Sequence, residues 1–171
     1  VSENIVLNSD ANVKLVLQGA YDNLSQEGMY GGDLFRDAEL LGADGEINWV
    51  GTYKDPRDIF NHDMNAENID VENTWSDAYA AINSSNNVLS ALAVVNEDDR
   101  NRVEGEARFI RAACYYELVR LFGKTYEPGT ENTQLGVPLV TEPTRGITEA
   151  SFVSRASVGE IYEFIEVELN A

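Results

Sequence analysis

Four side chains in one irregular stretch of this 171-residue chain have the chemistry to hold a polyhydroxylated ligand. Trp49 and Tyr53 stand four residues apart in a segment punctuated by Gly42, Gly45, Gly51 and Pro56. Aromatic rings so placed can stack on the apolar faces of sugar rings. Asp55 and Arg57 follow closely and can exchange hydrogen bonds with hydroxyl groups once the ring faces are covered. The segment from Gly42 to Asn68 is long for a loop, and long loops fixed to a rigid scaffold are where binding residues concentrate. The alternative use of Trp49 and Tyr53 is to pin the loop onto a helical core.

Other chemistry finds less support. Asp63, Asn65 and Glu67 imitate the first, third and fifth positions of a calcium loop, but Asn68 replaces the turn glycine and Thr74 stands where a bidentate Glu belongs. A polar approach to the next helix is the better reading, and no metal is expected. The single cysteine, Cys114, falls on the apolar stripe of a predicted helix, and His62 is the lone histidine that could activate it. A buried, inert thiol is expected. The chain has no P-loop, dinucleotide fingerprint, HExxH, paired-Cys or GxSxG motif. Neither a catalytic residue nor a cofactor is therefore assigned. Acid/base work by paired carboxylates needs a cleft and separated pKa values, which no spacing here specifies.

Charge narrows the partners. Acids outnumber bases 30 to 12, leaving a formal charge of -18. Nucleic acid is excluded as an expected partner, because phosphate binding needs clustered Lys and Arg. No apolar run approaches the roughly 20 residues of a membrane span.

Five segments must position these residues, and apolar spacing makes each a helix. The first covers about Asp10 to Ser25, with Ser9 as N-cap and Val13, Val16, Leu17, Ala20, Tyr21 and Leu24 on one face. The second, Asp33 to Leu41, carries Leu34, Phe35, Ala38 and Leu41, and Gly42 is placed to end it in a left-handed cap. Ile47 to Tyr53 reads as a strand or an extended loop. The third helix, Asp70 to Val95, repeats Val71, Trp75, Ala78, Tyr79, Ile82, Leu89 and Leu92, and Asn86 shares that face as a residue expected to bond backbone. The fourth, Glu97 to Phe122, has Val103, Ala107, Ile110, Cys114, Leu118, Leu121 and Phe122 as its core face. Gly105 is expected to mark close packing, and Glu104 with Arg108 to be an ordinary solvated pair. The short link near Asn96 forces these two helices antiparallel. After Gly123 the periodicity lapses until Ser157 and Glu160 form a capping box for a fifth helix bearing Val158, Ile161, Tyr162, Ile165 and Leu169. That helix runs to the last residue, so a packing partner beyond Ala171 is expected. The pattern is an all-α domain, 1–171, of antiparallel helical hairpins with long irregular loops.

The run from Glu104 to Gly123, with Ala-Arg-Phe-Ile-Arg-Ala at 107–112, Tyr115-Tyr116 and Leu-Val-Arg-Leu-Phe-Gly at 118–123, followed by Gly136-Val-Pro-Leu-Val140, resembles the SusD/RagB family. Trp75, Tyr79, Ile82 and Asn86 fit it, as does Arg155 to Tyr162. The resemblance implies a scaffold related to tetratricopeptide repeats (TPR-like), forming the N-terminal portion of a longer protein. It further implies a surface lipoprotein of Bacteroidetes-type bacteria that caps a SusC-like TonB-dependent outer-membrane transporter and captures oligosaccharides or other nutrients without catalysis. The lipid-bearing Cys of that family is absent here, so any membrane attachment would run through an N-terminal anchor outside this chain. Its motifs do not reach Trp49, Tyr53, Asp55 or Arg57. A helical protein-interaction scaffold without a small-molecule ligand is the alternative function.

Overall fold

Short-range signals account for the helices of the computed structural model, which describes residues 7–171. Helix α1 spans Asp10–Leu24 and opens where Ser9 Oγ accepts the Asn12 N–H at 3.3 Å. The others are α2 (Asp33–Gly42), α3 (Lys54–Phe60), α4 (Ile69–Ser90), α5 (Glu97–Phe122) and α6 (Val158–Leu169). Strands β1 (Leu135–Pro138) and β2 (Arg155–Ser157) form a small antiparallel ribbon among the described residues. The chain is thus mostly helical. It divides into two compact units, residues 7–22 with 80–171, and Asn23–Tyr79.

In the first unit, a link of a few residues containing a 3-10 turn at Leu92–Val94 joins α4 to α5. Arg100 holds this link by donating to the carbonyls of Leu92 at 3.2 Å and Val95 at 3.1 Å. Farther along, Arg111 of α5 meets Asn86 of α4, as antiparallel helices require. Helix α5 rises for about 40 Å and buries Val103, Ala107, Ile110, Cys114 and Leu118. Leu121 and Phe122, also expected in that core, are only half-buried because the helix ends there and turns at Gly123. Removing the Phe122 ring therefore carries less than the cost of a fully buried one.

Gly105 departs from expectation too. Among the described residues, a Cβ built there meets nothing within 4 Å, so no helix among them requires the glycine. Gly105→Ala should stabilise the chain by about 0.5–1 kcal/mol through reduced unfolded-state entropy. An increase in the urea midpoint at constant slope is the expected reading, and a decrease would mean that the site is crowded. Gly136 is the opposite case: its Cβ would fall 3.1 Å from the Ala156 carbonyl oxygen and 3.2 Å from Ile161 Cγ1. The ribbon and α6 close on it.

The capping box on α6 forms as expected. Ser157 Oγ accepts from Glu160 N at 3.2 Å, and the Glu160 carboxylate accepts from Ser157 N at 2.7 Å. Val158, Ile161 and Ile165 are buried, but the stripe ends on Glu168 rather than Leu169. Leu169 is 57% exposed. The Cys114 thiol is buried, and that burial pushes its pKa up to about 12. It should resist thiol reagents in the native chain and react after unfolding, whereas rapid native labelling would place it at the surface.

The second unit holds α2, α3 and the start of α4 around Leu24, Met29, Leu34, Leu40, Ile59 and Ala78. Gly42 lies inside α2, and the helix ends through Ala43 in an extended conformation, so the expected left-handed cap is not used. Gly45 takes the left-handed conformation instead, with φ of 82°. Phe35, placed on the core face by its spacing, is 58% exposed, while Asp33 and Asp37 are buried beside Leu34 and Leu40. Helix α3 lies where Pro56 had argued against one. Pro56 is its third residue, within the first turn, where the missing N–H breaks no helical hydrogen bond.

Candidate functional site

The four residues singled out for ligand binding lie along and just before α3. Tyr53 precedes its first turn and is 75% exposed. Arg57 is exposed one turn later, and Lys54 pairs with Asp58 at 2.7 Å. Asp55 is committed elsewhere: its Oδ1 accepts the Ile69 N–H at 3.2 Å, capping α4, and its carbonyl accepts from Asn68 Nδ2 at 3.0 Å. Asn68 in turn accepts the Val71 N–H, so α3 and the start of α4 are tied together. Trp49 is half-buried, and its ring lies so close over Gly51 that a Cβ there would sit 2.5 Å from Cζ2. Its indole Nε1 is buried and has no hydrogen-bond partner among the described residues. Tyr53 and Arg57 are therefore available to a ligand, while Asp55 positions the helix and Trp49 shapes the loop.

Nearby, His62 adopts a left-handed backbone with φ of 55°, and its Nε2 lies 3.1 Å from the Leu41 carbonyl oxygen, to which it donates. The stretch that imitated a calcium loop is a turn: Asn65 Oδ1 accepts the Glu67 N–H at 2.8 Å and leads into Asn68. His62 and Asn65 both serve backbone geometry.

The other unit contains a polar cluster that the sequence only partly revealed. Asn86 Nδ2 donates to the carbonyls of Val140 at 3.0 Å and Glu142 at 3.1 Å, the backbone role expected of it. Its Oδ1 accepts from Arg111 at 2.8 Å. Arg111 also pairs with Glu168 at 2.6 Å and donates to the Thr141 carbonyl at 3.3 Å. Arg108 binds Glu104 at 2.7 Å but also Glu168 at 2.9 Å, so it is no ordinary solvated pair. Tyr115 completes the set: its hydroxyl donates to the Val140 carbonyl at 3.0 Å and accepts the Val140 N–H at 2.7 Å. Burial pushes its phenol pKa upward. Phe164 packs edge-on against Tyr115 and lies 5.2 Å beneath the Arg111 guanidinium.

These contacts fix the backbone from Val140 to Glu142 against the helices. The same stretch lines a cavity of about 660 Å³ with Pro143, Arg145, Thr148 and Ser151. Glu168 was the member that spacing missed, since a lone acid on an apolar stripe reads as solvent-facing until its two arginines are located.

A family model described as "Starch-binding associating with outer membrane" matches residues 1–171. This chain belongs to the SusD-like family. SusD-like protein P2 of Formosa agariphila is 29% identical over 161 residues, 93% of this chain and 30% of its own length. A crystal structure of a SusD superfamily protein from Bacteroides fragilis aligns with a TM-score of 0.83 at 26% identity, covering 97% of this chain and 39% of that one. A candidate sugar-binding protein from Bacteroides vulgatus aligns at 0.81 and 26% identity, over 95% and 36% of the two chains. The chain therefore spans about a third of the length of these SusD-like relatives. Within the SusD-like fold, the most recognisable motif residues, Arg111 and Tyr115, are buried fixtures of the helices. The Gly136-Val-Pro run is β1.

Proposed function

We propose that this chain is the N-terminal portion of a cell-surface oligosaccharide-binding subunit of an outer-membrane nutrient uptake system, acting by capture and not by catalysis. Its expected partners are a glycan and a SusC-like TonB-dependent transporter, with attachment to the outer membrane through a lipid anchor outside these residues. The observation that carries the reading is the family match along all 171 residues, whose description names both starch binding and the outer membrane. The sugar-binding description of the Bacteroides vulgatus relative points the same way.

Within this portion, Tyr53 and Arg57 are the proposed ligand contacts, with Trp49 and Asp55 holding the loop and helix that present them. A ring as exposed as Tyr53 is open to cover an apolar sugar face, and Arg57 one turn on can donate to hydroxyl groups. Tyr53→Ala in the protein of natural length should weaken glycan affinity by about fivefold, corresponding to about 1 kcal/mol of lost stacking. Calorimetric titration reads this directly, and unchanged affinity would remove Tyr53 from the site. Purification from the outer membrane of a native strain tests the partner. Recovery with a TonB-dependent transporter is expected, and repeated recovery without one would favour the scaffold function.

A further inference from the structure

Three carboxylates in Asn23–Tyr79 converge on a single guanidinium. Arg36 of α2 pairs with Asp33 at 2.8 Å, with Asp37 at 2.8 Å and with Asp70 of α4 at 2.6 Å. All three acids are buried, with exposures of 5%, 7% and 8%. One positive charge against three negative ones leaves a cluster short of compensation by two charges, and water reaches it mainly on the Arg36 side, whose side chain is 33% exposed. Asp55, whose carboxylate caps α4 beside Asp70, adds a further negative charge.

We propose that the Arg36 cluster is a proton-operated clamp, which takes up one proton at mildly acid pH and thereby holds α2 and the start of α4 together more firmly than at neutral pH. The proton resides on Asp70. Arg36 favours the ionised form of that group, and so does its place in the first turn of α4. Asp33 and Asp37 from α2 and Asp55 from α3 oppose ionisation, and the largest effect is burial itself. Together these push the Asp70 carboxyl up to about 6, and burial also raises Asp37. A carboxyl whose folded pKa lies above its unfolded one binds its proton more tightly in the native state. The stabilisation is complete below the unfolded value and is lost as pH rises through about 6. Because Asp55 and Asn68 tie α3 to the residues just before Asp70, the clamp also governs how firmly the helix bearing Arg57 is seated.

The inference concerns folding of this unit and does not require that Tyr53 or Arg57 bind a glycan, so the two can fail separately. Amide hydrogen exchange on the 171-residue chain, corrected for intrinsic rates, should show protection across α2 and the first turns of α4 about tenfold greater at pH 5 than at pH 7. Asp70→Asn should remove most of this difference, leaving only the smaller contribution of Asp37. Equal protection in the wild-type chain, or greater protection at pH 7, overturns the proposal. Carbon NMR titration of the wild-type Asp70 carboxyl decides independently of any variant. An inflection near 6 supports the clamp, and one near the ordinary carboxylate value of about 3.8 overturns it.

Discussion

Arg111→Met is expected to destabilise the chain by about 3–5 kcal/mol, near the lower end because Glu168 keeps a second partner. The arginine is 6% exposed and makes four distinct commitments, to Glu168, Asn86, the Thr141 carbonyl and the Phe164 ring. Methionine fills much of the same volume, so the loss comes from the groups left behind. Glu168, 5% exposed, would keep, among the described residues, Arg108 alone to balance it, and Asn86 Oδ1 would lose its buried donor. Burying a charge with too little compensation costs more than the pair contributes when intact. A double variant, Arg111→Met with Glu168→Met, should therefore recover much of the loss. Urea denaturation measures both. A single-variant loss below about 1 kcal/mol would show that water reaches Glu168 and that the cluster is not sealed.

Tyr115 is the second site of large effect. It is fully buried, and its hydroxyl both accepts from and donates to the backbone of Val140. Tyr115→Ala should cost about 3–5 kcal/mol through the cavity left between α5, Phe164 and the following loop. Tyr115→Phe separates packing from hydrogen bonding. The ring remains, but the Val140 N–H and carbonyl lose their shared partner, for about 1–3 kcal/mol. Denaturant midpoints give the two magnitudes. Amide exchange at Val140 in the Phe variant should rise well beyond the global change, and unaltered exchange there would show that another group holds the segment.

These two sites also show where sequence reading succeeds and where it stops. Helices α1, α5 and α6 were legible because their apolar periods and end signals are local: Ser9, the acids Glu97 to Asp99, and the Ser157/Glu160 box each act within a turn. Asn86 was legible for a similar reason, since a polar residue on a core face must find a partner. Glu168 and Asp70 were not, because the arginines that bind them, Arg111 and Arg36, are 57 and 34 residues away. Helix α3 was hidden by Pro56, whose meaning depends on whether it falls in a first turn. Gly105 misled in the same way, its environment being a matter of tertiary structure. At the candidate site, residue type identified the aromatic and charged groups but not their availability. Asp55 is drawn into capping α4 and Trp49 into covering Gly51, while Tyr53 remains open to solvent. The family-typical run from Glu104 to Gly123 was the most legible feature, and it describes the scaffold.

The direct test of oligosaccharide capture is isothermal titration of the natural-length protein with a panel of oligosaccharides that includes starch fragments. Saturable heat at one ligand per protein with at least one member is the predicted result. A folded protein that takes up none of them, across concentrations reaching the millimolar range, would contradict the account.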